Sequence, residues 1–96
     1  MAYRGKLFSV HAFPNELGVA RLGMSVSKKV GNAVTRNAVR RRLREVFHAT
    51  QPEVLGDRDI VVSARPAVAK ATFEELETEF EHSLDKLNSS QLSTKA

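Results

Sequence analysis

One stretch, Lys28 to Phe47 (KKVGNAVTRNAVRRRLREVF), limits the architecture more than any other. Val39, Leu43, Val46 and Phe47 fall at i, i+4, i+7 and i+8. That spacing predicts one apolar stripe on a helix that begins near Asn32 or Ala33 and runs to about Ala49. The same stretch holds five arginines, two lysines and a single glutamate. Such a helix must lay its stripe on an apolar surface and keep its other sides in water. Its positive charges repel one another, and a bound polyanion would turn that repulsion into attraction. The stretch therefore points to nucleic acid.

The surface that receives the stripe is readable elsewhere. Lys6 to Phe13 alternates, with Phe8, Val10 and Ala12 on one side and Leu7, Ser9, His11 and Phe13 on the other, as in a strand. Pro14 to Gly18 supplies a turn. Arg21 to Ser27 alternates again, with a small, polar second side that leaves room for something to lie against it. Asp59 to Ala64 (DIVVSA) reads as a third strand, and a further strand is expected near Leu17 to Ala20. A second helix starts at Thr72, where Thr72-Phe73-Glu74-Glu75 matches a capping box. Phe73, Leu76, Phe80, Leu84 and Leu87 then recur at three- and four-residue steps. One sheet with helices on one face would bury both stripes.

The 96 residues suit one small domain with a modest core. There is no cysteine, which excludes disulfides and thiolate metal sites and suits a reducing cytoplasm. No apolar run approaches a membrane span, and no secretory signal opens the chain. Residues 1–50 hold ten Lys/Arg and two Asp/Glu, and residues 51–96 hold five and nine. One basic half joined to an acidic half suggests a nucleic-acid face and a solvated back. The polar segment from Asn88 (NSSQLSTKA) is expected to fray.

On the first helix, Arg36, Arg40 and Arg44 form one ridge beside the stripe, and Asn37, Arg41 and His48 form the next. Arginine forks two hydrogen bonds onto a phosphate, which lysine cannot do. Asn37 both donates and accepts, as reading a base edge or a ribose hydroxyl requires. Lys28-Lys29-Val30-Gly31-Asn32 adds two ammonium groups and the free N–H groups of a helix N-terminus, an anion site by geometry. The blander alternative is a solvated face, or one neutralised by the glutamates of the second helix. His11, His48 and His82 have no metal-ligand spacing, and Ser25 and Ser27 read as strand residues rather than nucleophiles. Phe8 and Phe13 read most simply as core, the alternative being a platform for an unpaired base. No phosphate loop, HExxH or serine elbow is present. The chain reads as a binder with no catalytic residue and no metal site.

Gly23-Met24-Ser25-Val26-Ser27-Lys28-Lys29-Val30-Gly31-Asn32-Ala33-Val34-Thr35-Arg36-Asn37, followed by Arg40-Arg41-Arg42-Leu43-Arg44-Glu45, closely resembles the bacterial ribonuclease P protein subunit. The likeness extends to the DIVVSARP strand and the Phe73–Leu87 helix and covers roughly residues 6–87. It implies an α+β, two-layer sandwich: a mixed sheet of about four strands with helices packed on it and a left-handed βαβ crossover. Residues 1–87 would be a single domain lacking the family's usual N-terminal helix, and 88–96 a disordered tail. The resemblance implies a non-catalytic partner of a cytoplasmic catalytic RNA. That RNA, using magnesium, removes the 5′ leader of precursor tRNA. Lys28, Lys29, Gly31, Asn32, Arg36, Asn37, Arg40, Arg41 and Arg44 would face the catalytic RNA. Phe8, Val10, His11, Ser25 and Ser27 would line a leader cleft between helix and sheet. Ala38 stands where the family motif has a second arginine. Without the first helix, the sheet should expose apolar surface, and self-association or strand exchange is expected. A ribosomal-protein-like RNA scaffold and a DNA-binding regulator are the other classes open to such a helix.

Overall fold

A computed structural model describes the backbone of residues 2–95 and the side chains of residues 2–89. Four strands, β1 (Ala2–Arg4), β2 (Phe8–Pro14), β3 (Arg21–Ser25) and β4 (Arg58–Ala64), form one sheet in the order β1-β2-β4-β3. β1–β2 and β2–β4 are antiparallel, and β3–β4 is parallel. A parallel pair needs a crossover, and helices α1 (Ala33–Ala49) and α2 (Pro52–Leu55) supply it. Helix α3 (Phe73–Lys95) closes the chain after a 3₁₀ turn at Pro66–Lys70.

The predicted stripe is the core of α1: Val39, Leu43, Val46 and Phe47 are all buried. They share one cluster with Phe8, Val10 and Ala12 of β2, Ile60 and Val62 of β4, and Leu76, Phe80, Leu84 and Leu87 of α3. Each of these side chains larger than Ala12 contributes roughly 1.5–3 kcal/mol on burial. The helices therefore cover one face of the sheet. Period-2 alternation sends Ser9, His11, Phe13, Val61 and Ser63 to the other face, which none of the described elements covers.

Local signals set the helix ends. Asn32 Oδ1 accepts from Thr35 N at 2.9 Å, an N-cap. The capping box forms reciprocally, Glu75 N donating to Thr72 Oγ1 and Thr72 N to Glu75 Oε1. The short α2 ends on the buried Arg58 at the head of β4. Arg58 Nε donates to Leu55 O (2.7 Å) and its Nη2 to Val54 O (3.1 Å). Burial lowers the pKa of this guanidinium.

Three expectations are corrected. The fourth strand is Ala2–Arg4, not Leu17–Ala20. The latter segment is a turn, in which Asn15 Oδ1 accepts from Leu17 N and Asn15 Nδ2 donates to Val19 O. β1 is held by contacts distant in sequence. Tyr3 meets the His82 ring edge-on at 5.6 Å, and Glu79 Oε2 accepts from Leu7 N and Phe8 N just beyond the turn. A Cβ at Gly5 would lie 2.6 Å from Glu79 Oε2, so a larger residue at that turn would displace the Glu79 carboxylate. Second, α3 does not stop before Asn88: the helix runs to Lys95, and Asn88 Nδ2 donates to Val54 O at 3.3 Å. The side chains expected to fray from residue 90 onward lie outside the described residues. Third, the uncovered face is not broadly apolar, because serines, His11 and Gly23 share it with Phe13 and Val61.

Candidate nucleic-acid interface

The basic surface is built by α1 and the loop that enters it. Val26 and Val30 are buried and pin the loop, while Ser27, Lys28 and Lys29 between them are exposed. Ser27 O accepts from Val30 N, and Lys28 O accepts from Gly31 N. Gly31 passes so close to α1 that a Cβ would sit 3.0 Å from Thr35 Cβ. Asn32 serves as the cap, which leaves the first-turn N–H groups of Ala33 and Val34 without acceptors inside the helix. Lys28 and Lys29 are exposed beside these amides, so donors and positive charge lie together at the start of α1.

Along α1, Asn37, Arg41 and Arg44 are exposed, and Arg36, Arg40 and Arg42 are half-buried. Arg40 Nη1 donates to Asn37 Oδ1 at 3.1 Å, so the Asn37 carbonyl is engaged and its amide hydrogens remain to donate outward. Arg36 Nε is shielded from water with no acceptor among the described residues. Among the described residues the ion pair within 4 Å is Arg21–Asp59. No α1 arginine has a carboxylate partner there, and α3's glutamates do not neutralise them.

The leader-cleft set divides. Phe8 and Val10 are 0% exposed beneath α1 and α3. They cannot touch a ligand, and the space between helix and sheet is filled by core. His11 and Ser25 lie on the uncovered face, and Ser27 is exposed in the loop after β3. Register then brings in residues that sequence reasoning missed. Arg4, Ser9, Ser63 and Ser25 pair in one row across all four strands, about 4.8 Å apart per strand. The neighbouring row is Ala2, His11, Val61 and Gly23, and Phe13, 51% exposed, begins the next. Arg65 Nη2 reaches Ser9 Oγ at 3.2 Å. The row of hydroxyls flanked by Arg4 and Arg65, beside a smooth floor, suits a single strand laid across the sheet. The available signal was alternation: Ser9 and Ser63 are out of phase with the core of their strands.

Arg21 is not a free cation of this face. Its Nε and Nη2 donate to Asp59 at 2.8 and 2.7 Å, and Asn15 Nδ2 donates to the same carboxylate. The Arg21 and Asn15 hydrogen bonds hold the Asp59 pKa down to about 2. The folded value lies below the unfolded one near 4. Its stabilisation is therefore present above about pH 4 and lost as the pH falls toward 2. Asp59→Asn is expected to lose less stability than the parent over that interval in thermal melts. Parallel losses would overturn this account.

Fold and surface together define a small α+β domain with a cationic crossover helix and one open sheet face. The ribonuclease P family model matches residues 1–88. The chain is 41% identical over 76 residues to the ribonuclease P protein component of Halalkalibacterium halodurans, covering 78% of this chain and 64% of that one. It is 37% identical over 83 residues to that of Streptococcus pneumoniae, covering 86% and 68%. The Staphylococcus aureus RNase P protein structure superposes with a TM-score of 0.80 at 36% identity, covering 91% of this chain and 80% of that one. The Thermotoga maritima protein gives 0.70 at 27%, covering 91% and 79%. The chain belongs to the ribonuclease P protein family. It spans about two thirds of the length of these curated relatives.

Proposed function

We propose that the chain is the RNA-binding, non-catalytic subunit of ribonuclease P, assisting its catalytic RNA in removing the 5′ leader of precursor tRNA. The observation that carries this reading is the α1 surface, whose arginines have no carboxylate within 4 Å among the described residues. Those charges meet no opposite charge within 4 Å among the described residues of the free fold, and phosphates are the partner they fit. Lys28, Lys29, Gly31, Asn32, Arg36, Asn37, Arg40, Arg41 and Arg44 form the face toward the catalytic RNA. The leader lies on the open sheet face, along Ser9, Ser63, Ser25 and His11 between Arg4 and Arg65. This moves the leader site from beneath the helix to the opposite side of the sheet. On this reading magnesium is held by the catalytic RNA.

The test compares precursor and mature tRNA binding in the presence of the catalytic RNA. Tighter binding of precursor, reduced by Arg65→Ala, is expected. Equal binding of the two would favour a scaffold without a leader site. Self-association through the open face is the remaining expectation, and sedimentation showing only monomer at high concentration would overturn it.

A further inference from the structure

The outward crest of α1 is uncharged over its first two turns. At about 100° per residue, the direction opposite the buried stripe is taken by Val34, Ala38, Arg41 and Glu45. Val34 is 77% exposed, the most exposed of the large apolar side chains among the described residues. Cations flank this crest on both sides, Arg40 and Arg44 on one and Arg42 on the other. The loop entering the helix passes along Thr35, and along the crest Val34 is exposed while the small Ala38 is half-buried. An exposed valine does little for the free fold, since its branched side chain is stiffer in a helix than lysine or alanine. A face built for charge alone would carry another cation there.

We infer that Val34 and Ala38 form an apolar crest that seats in the shallow minor groove of a double-helical segment of the catalytic RNA. The flanking arginines then reach the phosphates on either side. This rests on the reading of α1 as the face toward that RNA. The major groove of an RNA helix is too deep and narrow for an α-helix, whereas its wide minor groove presents ribose edges. Long side chains on the crest would hold the helix away from those edges. Valine and alanine let it approach to van der Waals contact, and the exposed Asn37 amide beside them can donate to a 2′-hydroxyl.

Binding of Val34→Lys and Val34→Ser to the catalytic RNA, titrated over a range of salt, tests the inference. If charge alone governs this face, Val34→Lys binds more tightly. A seated crest predicts the opposite sign, with Val34→Lys weaker by about tenfold or more. Val34→Ser should weaken binding severalfold with an unchanged salt slope, since no phosphate contact is lost. Thermal melts of both variants should match the parent, because Val34 is exposed. Arg41→Ala is the control in the same titrations. If both Val34 variants bind at least as well as the parent while Arg41→Ala weakens, the crest is overturned and the RNA face stands. If Arg41→Ala also binds like the parent, the face itself falls and the crest with it.

Discussion

Replacing Arg40, Arg41 and Arg44 together by alanine is expected to weaken binding to the catalytic RNA by roughly two to three orders of magnitude near 0.1 M salt. The estimate follows from counterion release, in which each neutralised phosphate adds about one to the slope of log K against log salt. Losing three phosphate contacts should flatten that slope by about two to three. The substitution should leave the fold intact. None of the three is buried, and none pairs with a carboxylate among the described residues. The Asn37 carbonyl loses its Arg40 donor but can turn to water. Binding measured over a salt series checks both quantities at once. Weaker affinity with an unchanged slope would mean that the variant misfolds or that these arginines touch something other than phosphate. Unchanged affinity would remove α1 from the RNA face altogether.

Phe8→Ala should act through stability rather than recognition. Phe8 is 0% exposed and packs in the cluster that joins sheet and helices. Truncating such an aromatic costs about 3–5 kcal/mol, the lost transfer energy plus the cavity left behind. That is a large share of the roughly 5–15 kcal/mol that holds a typical domain together. For a chain of this size the melting midpoint should fall by roughly 15 °C or more. The protein that remains folded at low temperature should still distinguish precursor from mature tRNA. A leader-lining Phe8 would give the reverse, with a near-normal melt and lost preference. Calorimetry and the precursor comparison on the same sample separate the two.

The helices were legible because their signals are local. Asn32 and the Thr72–Glu75 box mark their starts within a single turn, and the α1 stripe is complete in nine residues from Val39 to Phe47. β1 was not legible. Ala2–Arg4 is too short to show alternation, and the contacts that add to its pairing with β2, Tyr3 against His82 and Glu79 against the turn that follows, lie more than seventy residues away. The end of α3 was misread because polar composition argues for fraying, while the Asn88 contact to Val54 is tertiary. The basic face was readable residue by residue, since five arginines on one helix need no tertiary information. The sheet face was only half readable. Alternation tells which residues of a strand lie together but not which side the helices will cover. The resemblance mixed both phases, setting Phe8 and Val10 beside His11. The Arg4–Ser9–Ser63–Ser25 row needed the register of four strands, which no single segment contains.

The Val54 carbonyl accepts from both Arg58 Nη2 and Asn88 Nδ2. An isolated helix of four residues has no stability of its own in water, so α2 depends on the buried Leu55, on Arg58 Nε at the Leu55 carbonyl, and on these two donors. The return of the crossover, the head of β4 and the far part of α3 are thus fastened at one atom. They should open as a unit, their amide protons exchanging at a common rate set by that event rather than fraying one by one.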